Sequence, residues 1–227
     1  AITGHTGFKG SWLTFWLSKL ESQVSGYALA PDTEPSLFNQ LNLVSRIYHE
    51  EGDIRIYENV KKWLKKVQPE IIFHLAAQPL VRRSYREPMY TWQTNVIGTM
   101  NLLEAVRSLN IPCSIIVVTT DKVYENREWL YSYRENDAIG GHDPYSSSKA
   151  ATEMLVSSWR SSFFAESEIK IATVRAGNVI GGGDWSEDRL VPDIIRSLIQ
   201  KNPILLRYPN AVRPWQHVLE PLSGYLQ

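Results

Sequence analysis

Short runs of aliphatic and β-branched residues recur along the chain with little period-two alternation: Val24–Leu29, Ile71–Leu75, Ser114–Thr119 and Lys170–Arg175. Unbroken apolar character of this kind predicts strands covered on both faces, as in a parallel sheet. Ala1-Ile2-Thr3 reads as the tail of one more strand. Between these runs the apolar spacing turns helical, over Gly7–Glu21, Tyr57–Lys66, Glu87–Leu109 and Pro144–Phe164. The alternation predicts an α/β fold, a doubly wound parallel sheet of Rossmann type with helices on both faces. After Arg175 the texture changes to Gly181-Gly182-Gly183, prolines and scattered aromatics. Residues 1–176 are therefore expected to form the sheet domain. Residues 177–227 are expected to begin a second, smaller region that is incomplete at its end. Asp188-Arg189-Leu190-Val191-Pro192 reads as the opening of a helix in that region, and the chain reaches Gln227 inside a helical pattern.

Length and charge narrow the possibilities. The 227 residues suffice for one large or two small domains. Twenty-four basic residues balance 24 acidic ones, so neither a nucleic-acid footprint nor a membrane-surface patch is expected. No apolar run approaches the ~20 residues that a membrane span needs. The lone cysteine, Cys113, precedes a buried strand and reads as a small core residue; a disulfide framework or metal cluster is excluded. No secretory leader pattern is visible, and a reducing cytoplasm is the expected setting. The cluster Lys61, Lys62, Lys65 and Lys66 reads as the solvated face of a helix.

Two local patterns carry chemistry. In Asp143-Pro144-Tyr145-Ser146-Ser147-Ser148-Lys149, Asp143 suits a helix N-cap and Pro144 the first helical position. Helical spacing then puts Tyr145 and Lys149 on one face, where a cation would favour the phenolate. The second pattern, Thr3-Gly4-His5-Thr6-Gly7-Phe8-Lys9-Gly10, follows the first strand and opens the first helix. Glycines spaced three and three permit a tight turn and close approach of the backbone to a pyrophosphate, which the helix N-terminus attracts. The acid that normally ends the second strand and grips the adenosine ribose is missing; Asp32 comes a few residues late. That position alone leaves NAD and NADP both open. With no arginine or lysine nearby in sequence to take a 2′-phosphate, NAD is the expectation.

With these pieces, the chain resembles the extended short-chain dehydrogenase/reductase family along nearly its whole length. The further matches are Gly52-Asp53-Ile54-Arg55, His74-Leu75-Ala76-Ala77-Gln78, and Asn95-Val96-Ile97-Gly98-Thr99 leading to Asn101-Leu102-Leu103-Glu104-Ala105. The resemblance implies NAD held by Gly4, Thr6, Gly7, Phe8, Lys9 and Gly10, with Asp53 and Ile54 at the adenine. It implies Leu75, Ala76 and Ala77 along the cofactor path and Tyr145 with Lys149 at the nicotinamide end. Asn95 is implied as a structural residue rather than a catalytic one.

Thr119-Thr120-Asp121-Lys122-Val123-Tyr124 resembles more narrowly the signature of the nucleotide-sugar 4,6-dehydratases. Lys122 stands where the dTDP-glucose enzymes carry glutamate. That feature resembles the CDP-glucose branch, as do Arg175–Asp184-Trp185, Arg213-Pro214-Trp215-Gln216-His217-Val218, Gln78-Pro79-Leu80-Val81-Arg82 and Tyr133-Arg134-Glu135-Asn136. The resemblance implies oxidation at C4, loss of water across C5–C6 and reduction at C6, in deoxysugar biosynthesis of the lipopolysaccharide O-antigen type. Tyr145 would take the O4 proton, Thr120 would orient that hydroxyl, and Asp121, kept protonated by burial, would donate to the departing C6 hydroxyl. Lys122 is either the C5 base or a residue that positions Asp121. Gln78, Arg82, Asn178, Arg213 and His217 are implied as contacts for CDP-glucose. A homodimer or dimer of dimers is implied through Glu87–Leu109 and Pro144–Phe164, with Ala151, Met154, Leu155 and Trp159 as a buried stripe, although a stripe buried only within the monomer fits nearly as well. Other readings stay open: a related epimerase, a dehydratase for another sugar nucleotide, or an NAD-sensing protein without turnover. Asp121 counts against the plain epimerase, and the retained Tyr145 and Lys149 count against the sensor.

Overall fold

Six strands, Ile2–Thr3 (β1), Ser25–Ala28 (β2), Tyr48–Glu51 (β3), Ile71–His74 (β4), Ser114–Val118 (β5) and Lys170–Val174 (β6), form one sheet in a computed structural model that describes residues 1–227. Their order is β3-β2-β1-β4-β5-β6 and every neighbouring pair is parallel. This is the doubly wound order, in which the winding reverses between β1 and β4 and a crevice opens at their C-terminal ends. The main helices are Phe8–Lys19 (α1), Leu37–Gln40 (α2), Tyr57–Val67 (α3), Val81–Arg86 (α4), Pro88–Trp92 (α5), Gly98–Leu109 (α6) and Pro144–Ser162 (α7). Asn178–Ile180 (β7) and Trp215–His217 (β8) then pair in parallel, with Leu190–Ile199 (α8) between them and Leu219–Tyr225 (α9) after them. No helix is long and apolar enough to cross a membrane.

Two buried cores flank the sheet, as its two-sided apolar strands require. One joins Ile72, Ile115 and Val117 to Trp63 and Leu64 of α3, Leu102, Leu103 and Val106 of α6, and Val156 of α7. The other joins Ile2, Phe73 and Val118 to Leu13 of α1 and to Val218, Leu222 and Tyr225. The end of the expected second region therefore returns to the sheet and shares its core. Val179 of β7 joins this core as well, and α9 ends at Tyr225, short of the final Gln227.

Three differences from the sequence expectations have clear causes. The edge strand β3, Tyr-His-Glu-Glu, is polar and mostly exposed, so no apolar run announces it. The stretch 87–109 is helical but passes through a π segment at Gln93–Ile97. Hydroxyls of Thr99 (2.7 Å) and Thr152 (3.0 Å) donate to the Asn95 carbonyl there, satisfying it and tying α6 to α7. Finally, within the single chain α7 does not bury the apolar stripe, which answers only the monomer-core form of that expectation. Ser148, Lys149, Thr152, Glu153 and Val156 face inward, Met154 is 67% exposed, and Ala151, Leu155 and Trp159 are only half-buried. The inward face is polar because it serves a hydrogen-bonded site rather than an oily one.

Candidate active site

The C-terminal ends of β1, β4 and β5 surround a cavity of about 280 Å³, lined by Gly4, Thr6, Gly7, Phe8, Lys9 and Gly10. Leu75, Ala76, Ala77, Asp53, Ile54, Tyr145 and Lys149 complete its wall. Two of the loop glycines are demanded by the protein itself. Gly4 has φ +74° and a Cβ there would sit 2.6 Å from the Ala76 nitrogen; one on Gly10 would sit 2.1 Å from the Gly4 oxygen. Gly7 is different, because a Cβ there would meet only the Gly4 oxygen, at 3.5 Å. The space at Gly7 is thus left open toward the cavity, at the N-cap of α1, where no side chain caps the first-turn N–H groups. A dinucleotide pyrophosphate fits this cradle by shape and by charge. The loop is held to the sheet by buried His74, whose Nδ1 accepts from Thr3 Oγ1 (2.7 Å) and whose Nε2 donates to Thr99 Oγ1 (2.9 Å). That tautomer follows because the Thr99 hydroxyl proton already goes to the Asn95 carbonyl. Burial first, and then the Lys149 charge, push the His74 imidazole down to about 3, so it stays neutral.

Tyr145 and Lys149 both line this cavity, from the start of α7. Asp143 caps the helix as its sequence predicts: Oδ1 accepts from the Tyr145 and Ser146 N–H groups, both at 3.0 Å. Lys149 makes no hydrogen bond to the Tyr145 phenol. Lys149 Nζ donates instead to the Val118 carbonyl at 2.9 Å. Burial pushes the Tyr145 phenol up to about 12, with a Thr120 hydrogen bond pulling the other way. Burial, and then the Lys9 charge, push the Lys149 amine down to about 7. Desolvation disfavours the charged form of both groups.

A second cavity of about 740 Å³ opens on the other side of Tyr145 and is lined by Thr120, Lys122, Asn178 and Arg213. Lys9, Thr119 and Tyr145 border both cavities. Thr120 and Asp121 leave β5 in a turn of 3₁₀ helix. Asp121 Oδ1 accepts from Thr120 Oγ1 (3.0 Å) and from Lys122 Nζ (3.1 Å), and Lys122 Nζ also reaches Asn178 Oδ1 (3.4 Å). The expected burial of Asp121 is not observed. Its side chain is a third exposed, lying over Gly177 and paired with Lys122.

The implied substrate contacts separate into two groups. Asn178, Arg82 and Arg213 line the second cavity. Arg82 is paired there with Asp188 at 2.5 Å, whereas Arg213 meets only the neighbouring Val212 carbonyl. Gln78 lines the first cavity instead, and its amide is spent inside the protein: Nε2 donates to the Leu80 carbonyl and Thr91 Oγ1, and Oε1 accepts from Leu80 N–H. Its role is to shape the loop. His217 borders neither cavity; its ring lies edge-on to Trp12 and its Nδ1 accepts from the Leu219 N–H. Asn95, as implied, is scaffold, bonding Gln78 N–H (2.8 Å) and Ser148 Oγ (2.9 Å).

Three further pairings join residues too far apart in sequence to be anticipated. Lys9 Nζ donates to the Tyr225 hydroxyl (3.3 Å), and burial followed by the Arg189 and Lys122 charges pushes this amine down to about 8. Glu153, one turn beyond Lys149, accepts from Thr119 Oγ1 (2.5 Å) and from Arg175 Nε (2.9 Å) and Nη2 (3.1 Å). Burial raises this carboxyl, but the Arg175 and Thr hydrogen bonds outweigh it and hold it below the usual range. A glutamate four residues after a functional lysine was the one available hint. Lastly, the expectation that no cation waits near the end of β2 needs correcting, since the fold carries Arg83 there from α4.

The same architecture occurs in solved structures of low sequence identity. A dTDP-glucose 4,6-dehydratase from Streptomyces venezuelae with NAD bound superposes over 98% of this chain and 69% of its own, at 24% identity and TM-score 0.83. A Thermus thermophilus UDP-glucose 4-epimerase complexed with NAD does so over 99% and 72%, at 23% identity and TM-score 0.85. These likenesses establish the fold. In sequence, the chain is 50% identical over 99% of its length to the CDP-glucose 4,6-dehydratase of Salmonella typhimurium, of which it spans 64%. It is 33% identical, over 68% of its length, to the CDP-paratose 2-epimerase of Salmonella typhi, of which it spans 51%. The glycine cradle, the Tyr145–Lys149 helix and the Thr120-Asp121-Lys122 turn all fall within residues 1–225, which match the sequence profile described as GDP-mannose 4,6 dehydratase, and the chain belongs to that family.

Proposed function

We propose that the protein converts CDP-glucose to CDP-4-dehydro-6-deoxyglucose and water, using NAD. The observation that carries this reading is the Thr120-Asp121-Lys122 turn, which sets an acid and a base beside Tyr145, between two cavities. The likeness to the Salmonella CDP-glucose enzyme supports the substrate. NAD held by the Gly4–Gly10 cradle would supply a hydride acceptor at C4 and return that hydride at C6. Residues 1–176 carry the dinucleotide site and the reacting groups. Residues 177–227 supply the first wall of the sugar-nucleotide site, where Arg213 meets the diphosphate and Asn178 lies beside Lys122.

The chain's own groups account for the protons. Tyr145 accepts the O4 proton as a phenolate, a form that the positive charge of bound NAD would favour against the effect of burial, with Thr120 orienting that hydroxyl. The C4 ketone then acidifies C5–H. Asp121 and Lys122 share one proton across 3.1 Å, and the pair can hold it as carboxylate and ammonium or as carboxylic acid and amine. The second arrangement is the one elimination needs: the amine removes the C5 proton while the acid protonates the leaving C6 hydroxyl, releasing water. Closing the site over substrate favours it, because dry surroundings disfavour separated charges. Elimination then leaves Lys122 charged and Asp121 ionised. After Lys122 returns its proton to C5, Asp121 is one proton short and Tyr145 holds one extra. The Thr120 hydroxyl donates to Asp121 and lines the same cavity as Tyr145, so it offers a path between them.

The lone buried thiol, Cys113, agrees with a cytoplasmic setting, and a role in lipopolysaccharide O-antigen deoxysugar synthesis is consistent with the product. Exposed Met89 (74%) and Met154 (67%), on the adjacent helices α5 and α7, support a homodimer or dimer of dimers through this face, which sedimentation would test. The function is tested by incubating the protein with CDP-glucose and NAD. A 4-keto-6-deoxy product, seen by its absorbance in alkali, supports the reading; an epimer or unchanged sugar rejects it.

A further inference from the structure

The connection between β7 and α8 forms part of both cavities: Trp185 and Ser186 line the first, Glu187 and Asp188 the second. Asp188 lies just before α8 with φ +57°, a left-handed conformation open to glycine, asparagine and aspartate. Two separate stretches of chain meet at its side chain. Arg82 from α4 donates Nη1 to Asp188 Oδ1 at 2.5 Å, and Arg207, from the α8–β8 connection, donates Nη1 to the same oxygen at 2.8 Å. Arg207 Nη2 also donates to the Asp188 carbonyl (3.0 Å) and to Asp193 Oδ2 (3.4 Å), so this arginine has anchors besides Oδ1. Arg82 has no other hydrogen-bond partner and is 58% exposed. All three residues line the second cavity. The charges there do not cancel. Lys122 and Arg189 are matched by Asp121 and Asp184, but Arg82, Arg196 and Arg207 share only two carboxylates, those of Asp188 and Asp193.

The geometry points to Asp188 as a stand-in for the diphosphate of the sugar nucleotide, an inference that rests on the proposed substrate class. Two guanidiniums converging on one carboxylate oxygen leave positive charge and N–H donors that this carboxylate does not use. A diphosphate brings more negative charge and more acceptor oxygens, and a guanidinium fork matches phosphate as well as carboxylate. An ion pair to an arginine as exposed as Arg82 is weak enough to exchange. The carboxylate therefore holds the two forks together while the cavity is empty, and yields them to the diphosphate when it binds. Asp188 is thus a positioning residue that also caps nucleotide affinity, because each binding event must displace it.

Calorimetry of the whole chain with CDP and with cytidine tests this, with no turnover required. Asp188→Asn suits the left-handed backbone and removes the competing charge; it should bind CDP roughly tenfold more tightly than the parent, with cytidine unchanged. Arg82→Met alone should bind CDP about tenfold more weakly, and adding it to Asp188→Asn should cancel the gain. Glu187→Gln removes an equal charge one residue away, whose partner is Arg86 at 2.6 Å, and should change CDP affinity by no more than about twofold. Asp188→Asn folded by circular dichroism yet binding CDP no better than the parent overturns this inference alone. So does a gain shared by cytidine, matched by Glu187→Gln or surviving Arg82→Met, and so does unchanged CDP binding by Arg82→Met, which tests the exchange even where Asp188→Asn does not fold. A parent protein that binds neither CDP nor CDP-glucose overturns the functional reading, and this one with it.

Discussion

Replacing Lys149 with methionine is predicted to stabilise the dinucleotide-free protein at neutral pH while destroying its chemistry. The folded amine titrates near 7 against an ordinary 10.5, because it is buried and faces the Lys9 charge. Proton binding by this group therefore favours the unfolded chain, and stability rises with pH through the window from about 7 to about 10.5. The slope there is about 1.4 kcal/mol per pH unit, and the cost of the buried amine at pH 7 is about 4 kcal/mol. The variant escapes that cost but leaves the Val118 carbonyl, now bonded at 2.9 Å, without its donor. An unpaired buried carbonyl costs about 1–3 kcal/mol. The net expectation at pH 7 is a gain of roughly 1–3 kcal/mol, or a Tm higher by about 2–12 °C for a chain of this size. Urea denaturation of both proteins at pH 7, 8, 9 and 10 measures it. The parent should gain on the variant as pH rises, overtaking it before pH 10. A variant less stable at pH 7 by an amount independent of pH would refute the claim that Lys149 is held in a strained, desolvated state.

Four other substitutions examine the remaining supports. Glu153→Gln leaves the mostly buried Arg175 guanidinium without its counter-charge and should cost about 3 kcal/mol in urea denaturation; a change near zero would mean the pair is not a structural anchor. Gly7→Ala should fold normally yet lose dinucleotide binding, whereas Gly10→Ala, whose Cβ would lie 2.1 Å from the Gly4 oxygen, should fail to fold. Calorimetry and circular dichroism separate the two, and equal behaviour would contradict the assignment of the open space at Gly7 to ligand. Lys122→Met should abolish exchange of the C5 hydrogen with deuterated solvent while sparing oxidation at C4. Exchange retained in that variant would remove Lys122 as the base.

What could be read from the chain beforehand followed the range of the forces involved. The parallel sheet was legible because strands buried on both faces must be apolar throughout, and five of the six strands are visible as such. The sixth, Tyr48–Glu51, lies at the sheet edge with polar, exposed side chains and leaves no such mark. The cap at Asp143 and the cradle at Gly4–Gly10 were legible because both are local: an acid two and three residues from the N–H groups it accepts, and glycines where the backbone closes on itself. The electrostatics of the dyad were not. Spacing puts Tyr145 and Lys149 on one helical face, but what each experiences is set by burial, by the Val118 carbonyl 31 residues away and by Lys9 from α1. The same holds for Arg83, which meets Asp32 across 51 positions. His217 shows the converse: a polar residue in a distinctive motif that the fold uses to terminate β8 rather than to line a cavity.

In the proposed reaction, oxidation and reduction are both internal to a net dehydration. CDP-glucose carrying deuterium at C4 tests it directly, with the product analysed by NMR. The account predicts a 4-keto-6-deoxy sugar whose deuterium has moved to the C6 methyl, with no reduced dinucleotide accumulating. Deuterium remaining at C4 in an epimerised sugar, or passing to free reduced dinucleotide, would contradict it.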